Sequence, residues 1–228
     1  MLARALLIAL LGAALADPAA AAIRTRDLGD SAQGREIVVV EVAGANPRKA
    51  VLVVGCIHGN ESAGMAIAHA LMRVRPPSGV ALWIVPDLNP DGVAADTRQN
   101  AHGVDLNRNF PTRWRAQRGT FASGPRPLSE PESRLAYRLI LRVHPAVSIW
   151  FHQHANLVDD SSGNMALERR FAAIAGLRLR PLTQYGGSAV TWQSARFPGT
   201  SPFVVELPAG TPSPASVRRY VSAVLAVS

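Results

Sequence analysis

The sequence has 228 residues, 48% of them hydrophobic and 18% charged, the proportions of a chain that buries a core rather than a disordered one. Its formal charge is +8, and Lys49 is the only lysine, so the positive charge is almost all arginine. No basic block interleaved with aromatics occurs, which argues against a nucleic-acid partner. The arginine richness is better explained by compositional bias than by affinity for acidic polymers or surfaces.

The chain opens with Arg4, an apolar stretch over residues 5–15, and a small-x-small site at Ala14-Leu15-Ala16 before Asp17. The stretch is too short to cross a bilayer as a helix, so residues 1–16 read as a signal peptide, with cleavage as late as residue 22 also compatible. Residues 23–228 are then expected to form one exported domain, periplasmic or extracellular, monomeric and without a stable membrane anchor once the leader is removed. A single cysteine cannot make an internal disulfide, and Cys56, in an apolar run, reads as a buried small hydrophobe.

Residues 36–42 and 50–57 read as strands rich in Val and Ile, separated by the turn-prone Gly44-Ala45-Asn46-Pro47. The second is apolar nearly throughout, as in a strand covered on both faces. A helix over 61–74 ends at Pro76-Pro77, and a strand follows at 80–85. Residues 86 to about 127 form a loop without periodicity, long enough that function is its usual explanation. Ser129 with Glu132 resembles a capping box opening a helix to about residue 143. A strand at 147–151 runs into His152, a helix is expected at 166–175, and a strand at 202–207 ends on Glu206 and Pro208. Ser213 and Pro214 read as an N-cap and a first-turn proline opening a helix over 214–227. Alternating strands and helices make this a single α/β domain.

His58-Gly59-Asn60-Glu61 stands where a buried strand gives way to a helix, the sheet edge at which α/β proteins bind ligands. Imidazole and carboxylate three residues apart across a tight turn suit zinc. A third ligand is supplied by one of the histidines in Phe151-His152-Gln153-His154; both have the same strand parity, so alternation does not choose between them. Two histidines and one glutamate leave a coordination position open, as in catalytic zinc sites. Glu206, a carboxylate at the end of an apolar strand, is costly to bury unless paired or functional, and suits a general base. In the long loop, Arg98 and Asn107-Arg108-Asn109 gather guanidinium and amide donors of the kind that grip a carboxylate.

Taken in order, these segments resemble the zinc carboxypeptidase family of the carboxypeptidase A type. The resemblance rests on Ser31-Ala32-Gln33-Gly34-Arg35, His58-Gly59-Asn60-Glu61, Asn89-Pro90-Asp91-Gly92, Arg98, the run from Gly103 to Phe110, Ser129-Glu130-Pro131-Glu132, His152 and Glu206. It implies a mixed, twisted central sheet of about eight strands sandwiched by helices. It also implies one zinc ion on His58, Glu61 and His152, with Glu206 as base and acid. Arg98 would polarise the scissile carbonyl, Asn107 and Arg108 would hold a terminal carboxylate, and His154 would lie beside the substrate. The chain is more similar to the compact bacterial branch of the family, which includes murein peptide amidases that cut between D-glutamate and meso-diaminopimelate. A peptide or peptidoglycan stem peptide is therefore the expected substrate. The segment Ala189-Val190-Thr191, the candidate pocket floor, and Tyr185 fit no pattern of the digestive enzymes. Two rival readings remain at this point: an aspartoacylase-like zinc deacylase of N-acyl amino acids, and a non-catalytic module binding wall peptides.

Overall fold

The computed structural model describes residues 21–159, 165–182 and 185–228; the leader expected at 1–16 lies outside them. Eight strands form one sheet: β1 (Ala22–Asp30), β2 (Glu36–Ala43), β3 (Lys49–Val54), β4 (Val80–Val85), β5 (Val147–Gln153), β6 (Leu157–Asp159), β7 (Arg178–Arg180) and β8 (Ser201–Leu207). Their spatial order is β1-β2-β4-β3-β5-β8-β6-β7. The centre, β4-β3-β5-β8, is parallel, while β2 and β6 join it antiparallel. The sheet is thus mixed, as the resemblance implied.

Strand alternation sorts the core into two layers. Val51 and Val53 of β3, Ile149 and Phe151 of β5, and Phe203 and Val205 of β8 face one layer. There they meet α1 (Ala63–Leu71), α4 (Met165–Ala175) and α6 (Pro214–Val227) through Ile67, Phe171 and Tyr220. Leu52 and Val54, and Trp150, face the other layer, with α3 (Pro131–Val143), α5 (Ala189–Arg196) and apolar anchors from the long loop, Leu88, Leu106 and Phe110. His152 and Glu206 share the parity of Trp150 and Val204 and so belong to the loop-covered side. The fold carries both residues to the same edge by register alone.

Several expectations need correction. The strand expected over 50–57 ends at Val54, and the helix expected from residue 61 begins at Ala63. The intervening residues form a tight turn in which Glu61 N–H donates to the His58 carbonyl at 2.9 Å. The Ala63 N–H is met by Gln153 Oε1 at 2.9 Å, a cap supplied from β5 rather than from the helix's own start. The capping box at Ser129 and Glu132 does not form. Glu130 is the N-cap of α3 and makes no side-chain cap, Ser129 Oγ donates to Glu130 Oε1 at 2.6 Å, and Glu132 points to the neighbouring loop. The final helix matches its expected bounds, with Ser213 Oγ accepting from Ser216 N–H. Strands β1, β6 and β7 and helix α5 were not anticipated; β1 is polar and mostly exposed, and β6 and β7 have three residues each, too few for a periodic signal.

The long loop is held by polar buttresses in place of periodic structure. Asn89 caps a short helix, α2 (Pro90–Ala95, counted separately from the layers), by accepting from Gly92 N–H at 3.0 Å, with Pro90 in its first turn. Asp91 accepts from Ser31 Oγ, Gln33 N–H and Arg35 Nη1, which explains the paired Ser31–Arg35 and Asn89–Gly92 motifs. Gly59 packs directly on this helix: a Cβ there would fall 1.9 Å from the Gly92 carbonyl carbon. No side chain fits between the two turns.

Candidate metal centre and substrate cleft

His58, from the turn after β3, Glu61, from the turn before α1, and His152, near the end of β5, converge, and among the described residues they are the one group placed to hold a metal ion. His58 Nδ1 lies 3.0 Å and His152 Nδ1 2.8 Å from Glu61 Oε2, and the two ring nitrogens are 3.2 Å apart. A tetrahedral ion bonded at zinc distances to three such atoms would set them about 3.3 Å apart. Three electron-pair donors aimed at one point fit a single zinc ion. The chemistry around them agrees. His58 Nε2 is engaged by Asp105 Oδ1 at 3.0 Å, which fixes the tautomer and turns the Nδ1 lone pair inward. Arg98 binds Glu61 Oε1 at 2.7 Å and Asp105 Oδ2 at 2.9 Å, leaving Glu61 Oε2 toward the histidines. His152 Nε2 is buried without a partner.

Electrostatics at the centre favour ionised carboxylates. Burial alone would raise the Glu61 pKa, but hydrogen bonds and charge from His152 and His58 outweigh it and hold the carboxyl well below its usual range. Asp105 behaves likewise: burial opposes ionisation, and the His58 hydrogen bond with the charges of His58, Arg98 and Arg108 prevails. Asp105 was quoted in sequence only as part of a motif, with no role. Its signal was available: an acidic residue between Val104 and Leu106, two positions before Asn107.

A cleft of about 530 Å³ opens over the triad. Arg98, Asn107 and Arg108 line it from the long loop, and Glu206 from β8, where it pairs in register with His152. Glu206 Oε2 accepts from Ala155 N–H at 3.4 Å and is in no ion pair with any described residue. Asn107 N–H donates to Asp105 Oδ1, and its Oδ1 accepts from Ala189 N–H at 3.0 Å, so its amide is pinned with Nδ2 left over. Arg108 is buried; Nη1 donates to the Asn107 carbonyl at 2.8 Å, and Nε has no partner. Its guanidinium carbon lies 4.3 Å from the Tyr185 ring centroid and 5.4 Å from that of Phe121. Burial, with the nearby charge of Arg98, lowers the Arg108 pKa against the pull of Asp105. A desolvated, unpaired guanidinium N–H in a cleft is a ready receptor for a carboxylate.

Not every expected residue joins this cleft. His154 follows the end of β5, is exposed, and does not line it. Strand β5 ends at Gln153, so the strand parity assumed for His154 does not reach it. Val190 and Thr191, of the candidate pocket floor, do line the cleft, from the first turn of α5. Tyr185 and Phe121, half-exposed aromatics over Arg108, were not assigned in sequence. Tyr185 reaches its place because Gly187, with φ +79°, lies directly on the Arg108 backbone, where a Cβ would meet the carbonyl oxygen at 2.2 Å.

Comparison with known proteins agrees with this geometry. A family model described as zinc carboxypeptidase matches residues 13–158. Murein peptide amidase A of Escherichia coli strain K12 is 31% identical over 150 residues, covering 60% of this chain and 62% of the amidase. The chain therefore spans less than two thirds of that relative in the alignment. Human carboxypeptidase Z is 32% identical over 118 residues, 39% of this chain and 18% of that protein. Among solved structures, murein-tripeptide amidase from Escherichia coli O157 superposes with a TM-score of 0.75 at 27% identity, covering 89% of this chain and 90% of that one. Carboxypeptidase A from Helicoverpa armigera gives 0.73 at 16% identity, over 90% of this chain and 68% of that one, a likeness of fold.

Proposed function

Because the chain belongs to the zinc carboxypeptidase family, we propose that it is an exported hydrolase cleaving an amide bond beside a free carboxylate, with peptidoglycan stem peptides as its substrates. The observation that carries the reading is one cleft holding, together, a zinc-fitting triad, the Arg108 guanidinium, which is in no ion pair with any described residue, and the carboxylate of Glu206. The likeness to murein peptide amidase A supports the stem-peptide assignment, and the apolar segment after Arg4 supports export.

In this reading Arg108 binds the free carboxylate through its fork, with the pinned Asn107 amide as a second donor. Zinc, when bound by His58, Glu61 and His152, supplies Lewis-acid polarisation and lowers the pKa of water. Glu206 takes the proton of the attacking water on its carboxylate and returns it to the leaving nitrogen. Arg98 stabilises negative charge developing on the carbonyl oxygen while it holds Glu61 and Asp105 in place. Tyr185 and Phe121 shield the Arg108 guanidinium from water, which strengthens its attraction for an anion.

The test is a substrate panel read against two variants. The zinc-loaded protein is expected to hydrolyse a diaminopimelate-containing stem peptide and not its carboxyl-blocked analogue. Glu206→Gln should lower kcat by at least about a hundredfold with zinc content unchanged. Arg108→Ala should raise KM for the free-carboxylate peptide and so narrow its advantage over the blocked analogue, whose negligible hydrolysis should not change. Turnover retained by Glu206→Gln, or activity on N-acetyl-aspartate in place of peptides, would refute the assignment.

A further inference from the structure

A second concavity, of about 400 Å³, lies at the foot of the sheet, among the first residues of β3 and β4 and the last turn of α3. The metal triad stands beyond the opposite end of β3, roughly 17 Å of strand away. Arg26, Arg48, Lys49 and Arg142 line this recess with a single acid, Glu41. That acid is already engaged: Arg26 donates to Glu41 at 2.8 Å and lies over the Trp83 ring, 5.6 Å from its centroid.

Three cations are left over. Among the described residues neither Arg48, Lys49 nor Arg142 takes part in an ion pair; Lys49 Nζ reaches only the Val227 carbonyl, at 3.4 Å. Arg142 gains something from the C-terminal end of α3, where the helix dipole favours positive charge. Arg48 and Lys49 sit on no helix. Their backbone N–H groups both donate to the Gly79 carbonyl, at 2.8 and 2.9 Å, so the two side chains leave a pinned turn. Like charges gathered around a concave surface repel one another and focus positive potential into it. Beyond the helix end at Arg142 the fold offers these charges no partner, whereas a multiply charged anion would.

We propose that this recess binds a linear polyanion with repeating phosphate groups, anchoring the enzyme to it while the distant cleft acts on peptides. Two guanidinium forks and one ammonium, Arg48 and Lys49 from the turn into β3 and Arg142 from the last turn of α3, approach from two sides and can meet different oxygens of one phosphate. Arg26 lies over the Trp83 ring, which leaves no open aromatic platform there and disfavours a single-stranded nucleic acid that binds by base stacking. The recess is concave and its aromatic is covered, which disfavours a flat membrane surface.

The experiment measures binding of short-chain polyphosphate to the full chain over a range of salt. Arg48→Gln/Lys49→Gln/Arg142→Gln is expected to weaken binding roughly tenfold or more and to flatten the slope of log affinity against log salt by about two to three. A control triple, Arg169→Gln/Arg170→Gln/Arg218→Gln, removes the same charge from exposed positions elsewhere and should cost less than about threefold. Hydrolysis of a small peptide should be unchanged in both triples, and Arg48→Lys/Arg142→Lys should restore most of the affinity. Equal losses in the two triples would overturn the proposal, since the charge would then act without a site. So would inorganic phosphate competing as well as the polymer, group for group, or groove-dependent binding to phosphatidylglycerol vesicles without polymer binding.

Discussion

At the scale of single residues, the centre depends on Asp105 as much as on the ligands. It touches His58, Arg98 and the Asn107 backbone, tying one metal ligand to the residues on the opposite wall. Asp105→Ala frees the His58 ring to rotate and should weaken zinc binding about 10–100-fold, read by competition with a chromogenic chelator; unchanged affinity would mean the ring is held by packing alone. Asp87 makes a different prediction. Burial, reinforced by Asp91, pushes its carboxyl from 3.8 up to about 6 despite a hydrogen bond from Asn89 N–H. A folded pKa above the unfolded one means that its contribution to stability is complete below about pH 4 and lost as pH rises through 6. Asp87→Asn keeps the Oδ1 acceptor and removes the titration. It should match the parent at pH 4 and exceed it by about 1–2 kcal/mol at pH 8 in urea unfolding. A gain of equal size at both pH values would exclude this origin.

At the scale of elements, the long loop is organised by two buttresses, one through Asp91 and one through Asn100. The Asn100 amide donates to both Glu130 Oε2, at 2.9 Å, and Glu132 Oε2, at 3.0 Å, at the start of α3, while its own oxygen accepts from two loop N–H groups. Glu132 also accepts from Ala32 N–H, so α3, the loop and the β1–β2 turn meet there. Asn100→Ala leaves two buried carboxylates facing each other without the bridging amide. It should cost about 1–3 kcal/mol in urea unfolding and lower activity through displacement of Arg98 and Asp105. Central strands, α6 and the His58/Glu61 turn were legible because alternation, caps and a lone pair of ligands are local signals. The helix α3 was placed, yet its capping box was not real: Ser129 and Glu132 answer to Asn109 and Asn100, residues far away in sequence. For the same reason Tyr185 and Phe121 stayed unread, since their position over Arg108 comes from loop-to-loop contact. His154 misled because parity was extended past the end of its strand.

At the scale of the whole molecule, a zinc ion held by His58, Glu61 and His152 would tie the turn between β3 and α1 to the end of β5. Its binding is therefore linked to global stability. Removing it with a chelator should lower Tm, and adding back zinc at about a hundred times its Kd should restore about 2.7 kcal/mol; a Tm indifferent to metal would place the ion elsewhere. The sheet order has one more consequence, for how the protein is made. Strand β8 lies between β5 and β6, although it is the last strand in the chain. During synthesis β5 and β6 must wait with unpaired edges for about fifty residues until it arrives. It carries Glu206, the proposed base, so the residues proposed as metal ligands all precede it in the chain by about fifty residues or more. A chain truncated before β8 would thus hold the proposed ligands without the proposed base and should be inert, gaining activity only when the sheet is closed.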